Sequence, residues 1–181
     1  VQYPAKIFSV WSASELNAIG IYEVVFDNSN KKDEKWYINT NQSFDFDGNE
    51  VTASYGSATP KAHADTLWTA QDETDGKGTE GEVATRGLKY NLIKDLKSQV
   101  ANELARTDWY ITRNTEKETA IPSAISTHRD AVRTKQASME TQITNASDTP
   151  ALETLYTYVN TGTEENPVYE KPLGELPTLE S

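Results

Sequence analysis

Side chains able to do chemistry are few in this sequence. Its imidazoles are His63 and His128, with no H-x-x-x-H pair to give zinc-ligand spacing. Cysteine is absent, which removes thiolate catalysis, disulfides and cysteine metal sites together. His63 lies in a polar stretch and His128 sits between Thr127 and Arg129 on a helical pattern. A lone histidine is more often a surface or packing residue than a base, and that is the expectation for both. No G-x-S-x-G, Walker loop or dinucleotide fingerprint occurs.

The best metal-like pattern is "DFDGNE", in which Asp45, Asp47 and Asn49 alternate as hard oxygen ligands would. An EF-hand loop needs glycine at its sixth place and glutamate at its twelfth. Those places hold Glu50 and Gly56, so the pattern fails twice. Alternate strand residues share a face, so Asp45 and Asp47 read more simply as the solvent-side neighbours of buried Phe44 and Phe46. The acid-rich "QDETDG" and "GTEEN" stretches lack apolar walls to raise a carboxyl pKa. Nothing singles out a glycosidase pair among 28 acids. No catalytic residue, metal site or cofactor is expected, and the chain reads as a non-enzyme.

Bulk properties agree with a protein that works by contact. The 181 residues are 36% hydrophobic with a mean hydropathy of −0.69, and nine Tyr and four Trp must supply much of the core. A net charge of −11 opposes nucleic acid and anionic membrane as partners. No run approaches the roughly 18 apolar residues of a membrane span. A charged-then-apolar leader pattern is likewise not seen at the N-terminus.

The elements that position these residues suggest an α+β fold. "SASELNAIG" (12–20) predicts a short helix with a Ser12–Glu15 capping box, ended by Gly20. "IYEVVF" (21–26) and "KWYINT" (35–40) predict strands, and "SFDF" and "VTASY" flank the Asp47-Gly48 hairpin signal. Residues 1–75 are therefore expected to form a small antiparallel β-sheet module with a leading helix. Within it, "KAHADTLWTAQDE" suits a short helix or a strand around Leu67 and Trp68. Gly76, Gly78 and Gly81 mark 76–86 as a linker. Over 87–160 an α-helical hairpin and a short third helix are expected. Leu88, Leu92, Leu96, Val100 and Leu104 stripe the first helix, and Ile125, Val132, Met139 and Ala146 stripe a second that starts with Pro122 at N1. Thr149 and Pro150 suit the cap and N1 of the third, and 161–181 reads as an extended proline-containing tail, loose unless it docks.

The joint "TDWYITRNTEKETAIP" carries the candidate contact residues. Trp109 and Tyr110 continue the leucine stripe and are expected to seal the end of the helix pair. The polar stretch after them reads as a loop, long for a helical hairpin. Arg129 and Arg133 stand one turn apart, as donors to acids of this chain or of a partner. The second helix's seven-residue seam fits either a coiled coil between copies or packing onto the first helix. Its shortness, and Arg129 and Gln136 within it, favour the intrachain hairpin.

A helix ending in "TDWY", then "IP" and a helix carrying "HRDAVR", resembles a pattern in bacteriophage tail proteins, the small tail-fibre-associated and tail-fibre-assembly proteins. "ELNAIGIYEVV" and "WYINTNQSFDFDGNEVTASY" look like their front half, and "METQITNASDTPALETLYTYV" resembles the end of the group in marine phages. The likeness spans most of 12–160. One departure is His128, where typical members place Trp or Tyr before the arginine. The resemblance implies a virion structural protein of the tail, at the baseplate or fibre attachment, made in the host cytoplasm. Its partners would be other tail, baseplate or fibre proteins, with Trp109, Tyr110, Arg129 and Arg133 as contact candidates. The alternative is a tail-fibre assembly chaperone that leaves before the particle is complete.

Overall fold

A computed structural model of the chain describes residues 3–179. Positions 1 and 2 of the expected first module, and 180 and 181 of the expected tail, lie outside the described residues. The fold is mixed α+β with small sheets, and it divides into two compact units, Val1–Pro60 and Lys61–Ser181.

The first unit opens with a helical turn that the sequence pattern does not predict, α1 (Ile7–Val10), which buries Ile7. The predicted leading helix is α2 (Ala13–Asn17). Its capping box forms in both directions: the Glu15 N–H donates to Ser12 Oγ at 3.4 Å, and the Ser12 N–H donates to Glu15 Oε2 at 2.8 Å. Gly20 then turns the chain at φ +81°, a region that glycine enters without steric cost. Four strands follow, β1 (Val24–Asp27), β2 (Tyr37–Ile38), β3 (Gln42–Phe46) and β4 (Val51–Tyr55), and then β5 (Thr59–Pro60).

The Asp47-Gly48 signal holds. β3 and β4 pair as an antiparallel hairpin, with Gly48 at φ +101°. Asp47 Oδ1 closes the turn by accepting from the N–H of Asn49 at 2.8 Å and of Glu50 at 2.9 Å. The sheet order is β1-β4-β3, and here the purely antiparallel expectation needs correction, since β1 pairs with β4 in parallel. β3 takes one side of β4, leaving only the other for β1, and the chain between β1 and β4 is long enough for a parallel return. The strand predicted at 35–40 shortens to β2, which pairs with β5 beside a buried Trp36.

In the second unit both readings of the ambiguous stretch hold in succession, as β6 (Thr66–Leu67) followed by α3 (Ala70–Thr74). The segment predicted as a linker, 76–86, contains β7 (Val83–Thr85), antiparallel to β6. A Cβ on Gly78 would collide with the Trp68 indole, so this glycine serves close packing rather than flexibility. The division between units accordingly falls after Pro60 rather than across 76–86.

The cap of α3 gives a pH-dependent prediction. The Thr69 hydroxyl and N–H, and then Lys77, hold the Asp72 carboxyl down at about 2. A depressed folded-state pKa gives stability that is present above the unfolded value and is lost as pH falls through the folded one. Amide protection factors across Thr69–Lys77, exchange divided by the intrinsic rate at each pH, should therefore hold down to about pH 4 and fall toward about pH 2, whereas Asp72→Asn should flatten that dependence. A wild type without this step, or an Asp72→Asn variant that keeps it, would overturn the cap's role.

The helical pair is α4 (Leu88–Ala105) and α6 (Ser123–Asn145), which pack on each other within the chain. α4 buries Leu92, Leu96 and Val100, while α6 buries Ile125, Val132, Met139 and Ile143, so the seven-residue seam is used internally. Between them the predicted loop is instead a helix, α5 (Asp108–Lys117), with Asp108 in its first turn and Lys117 in its last. Those charges complement the helix dipole and favour a helix where hydrophobic pattern alone suggests none. Glu118 ends it in the left-handed region at φ 54°. Pro122 is the cap of α6 rather than its first residue.

The third helix is α7 (Thr149–Tyr156), capped by Asp148, whose Oδ1 accepts from the Ala151 N–H at 2.8 Å. Thr149, predicted as the cap, lies one place inside and donates its hydroxyl to the Lys61 carbonyl at 2.6 Å. The tail forms a small hairpin, β8 (Val159–Asn160) with β9 (Tyr169–Glu170), and then docks. Leu173 is fully buried, and its N–H donates to the Leu155 carbonyl at 3.0 Å. Glu175 receives the Tyr158 hydroxyl at 2.7 Å and Lys171 Nζ at 2.7 Å. Further along, the Leu179 N–H reaches the Glu103 carboxylate of α4.

Candidate interaction surface

At the helical joint the two arginines part company. Arg129 is buried, and its Nη1 donates to the Leu104 carbonyl at 2.8 Å, Thr107 Oγ1 at 2.7 Å and Asp108 Oδ1 at 2.8 Å. Of its two predicted roles it takes the internal one, fastening α6 to the end of α4. Beside it, buried His128 lies 3.0 Å from Glu103 Oε1, a packing role. Glu103 is held below the usual carboxylate range by Arg106 first, and also by the Leu179 N–H and His128. Arg133 remains half-exposed, with Asp130 at 3.5 Å.

Trp109 and Tyr110 stand on α5 with ring centroids 3.9 Å apart. Trp109 is 51% exposed, so it does not seal the helix pair. Arg113 lies over both rings, 4.7 Å from the Trp109 centroid and 5.6 Å from that of Tyr110. Sequence reasoning missed Arg113, although its spacing one turn after Trp109 was a visible signal for a cation–aromatic contact.

A larger surface lies in the first unit, around the "DFDGNE" hairpin. Asp47 is committed to the turn, its carboxyl lowered by the N–H groups of Glu50 and then Asn49. Asp45 sits on the strand opposite Thr52. Phe44 and Phe46, predicted to be buried, are instead 66% and 49% exposed. The first unit's helices span only four and five residues, too short to roof the sheet.

Strand register defines that open face. Phe26, Ala53 and Phe44 form one cross-strand row, and Val24, Val51 and Phe46 the next. Directly paired residues share a face, so Val24, Phe26, Phe44, Phe46, Val51, Ala53 and Tyr55 stand on the front. Asp27, Ser43, Asp45, Thr52 and Ser54 stand on the back. Ala53 is fully buried in the middle of the front, while Phe26 is 62% exposed. Tyr22 packs against Phe46, ring centroids 4.4 Å apart at a tilt of 52°, and also lines a groove of about 300 Å³ with Phe8, Leu16 and Ile21. Taking about 200 Å² per ring, Phe26, Phe44 and Phe46 leave roughly 350 Å² of aromatic surface open to water on this face. A patch of that size matches the largest apolar patch of a typical monomer, which is often functional.

Among the described residues no group of three or more His, Asp or Glu side chains is placed to hold a metal ion. Burial, and then Asp95, push the Tyr156 hydroxyl up to about 12. No helix among the described residues is long and apolar enough to cross a membrane. Comparison with protein-family models, curated proteins and solved structures found no match.

Proposed function

We propose that the chain is a non-enzymatic structural protein of a bacteriophage tail, kept in the virion at the baseplate or fibre attachment and acting through protein–protein contact. The observation that carries the contact role is the open phenylalanine face of the β1-β4-β3 sheet. The tail assignment is supported by the order of the "TDWY", "IP" and "HRDAVR" motifs along the chain. Other tail, baseplate or fibre proteins are its partners, and the exposed Trp109 beside Tyr110 and Arg113 offers them a second, smaller contact. A chaperone for fibre assembly is the second reading, favoured by an apolar groove on a chain of net charge −11, which suits transient, salt-tuned holding.

Mass spectrometry of purified particles tests the proposal. Stoichiometric copies in the virion are expected. Abundance in infected cells with none in particles would replace the structural role with the chaperone, and absence from both would overturn the tail assignment.

A further inference from the structure

We propose that two copies of this chain pair through the front of the β1-β4-β3 sheet, phenylalanine face against phenylalanine face about a two-fold axis. The inference rests on the front face being an interaction surface, and it names the occupant.

Charge is the first argument. A chain of net charge −11 repels its own copy, so self-association needs a surface from which the acids are kept away. Tyr22, Val24, Phe26, Phe44, Phe46, Val51, Ala53 and Tyr55 include no charged side chain, and the register turns Asp27 and Asp45 to the back. Two fronts can meet without bringing these carboxylates together.

Area is the second. Roughly 350 Å² of exposed phenylalanine on the front of each copy gives about 700 Å² when both are covered, and Val24 with the half-buried Tyr22, Val51 and Tyr55 brings the total toward about 1,000 Å², the lower limit of specific interfaces. A single-layer sheet is also half of a sheet-on-sheet sandwich, in which inner faces interdigitate at about 10 Å. Two-fold pairing supplies the missing layer from the same sequence and needs only one kind of surface.

Sedimentation of the full chain from about 1 to about 100 μM tests this, a range that covers the weak association expected of an interface at the small end of the scale. A concentration-dependent dimer is expected. Phe44→Lys, which places two ammonium groups in the interface, should raise its Kd at least about tenfold. Val25→Lys, on the back of the same sheet, should leave it unchanged. Circular dichroism checks that both variants fold. Oxidative footprinting of the wild type adds a readout that needs no variant: Phe26, Phe44 and Phe46 should gain protection as concentration rises, and exposed Tyr169 should not. A wild type that stays monomeric through about 100 μM overturns the pairing, as does dimerisation without protection of those rings. Either result leaves the virion experiment free to succeed or fail separately.

Discussion

Leu173→Ala should lower the unfolding free energy by about 3 kcal/mol and the Tm by about 10 °C. The residue is fully buried although it lies in a proline-bounded tail, and its own N–H is hydrogen-bonded to the Leu155 carbonyl. Truncation removes the apolar contacts and leaves a cavity that neighbouring α7 can only partly fill. Leu173→Met, which keeps the volume, should cost less than about 1.5 kcal/mol. Thermal melts followed by circular dichroism decide it, and an alanine variant melting with the wild type would mean that the tail adds nothing to the helical unit. Hydrogen exchange at the Leu173 amide should quicken in the same variant.

The second large effect is at Arg129. Arg129→Met should cost about 2–3 kcal/mol, by removing the donor to the Leu104 carbonyl and to the almost fully buried Thr107 hydroxyl. The ion pair with Asp108 adds little, because that carboxylate is 60% exposed and takes up water when the guanidinium is gone. Arg133→Met, one turn along the same helix and half-exposed, should fall within about 0.5 kcal/mol of wild type. Denaturant midpoints of the two variants give the comparison. Equal losses would remove the distinction between a fastening arginine and a surface one.

That contrast shows where the sequence was readable. Periodicity places Leu92, Leu96, Val100, Val132, Met139 and Ile143 in the core, because a helical stripe is a local property of the chain. The Ser12–Glu15 box and the Asp47-Gly48 turn were equally plain, each being decided within a few residues. Arg129 and Arg133 look alike in sequence, and only the end of α4 arriving beside one of them sets them apart. Phe44 and Phe46 were correctly placed on one face, but whether that face is roofed depends on distant elements. The parallel β1–β4 pairing and the docking of Leu173 are long-range outcomes of the same kind.

The parallel ladder also constrains the order of events during synthesis. β1 leaves the ribosome well before β4, and its Val-Val-Phe run has no sheet partner until the hairpin behind it has closed. Closing that hairpin is fast and local, whereas recruiting β1 must first meet the entropy of a long intervening loop. The nascent chain therefore carries an unpaired apolar run through this interval, with the charges of Glu23 and Asp27 at its two ends, where like charges disfavour association.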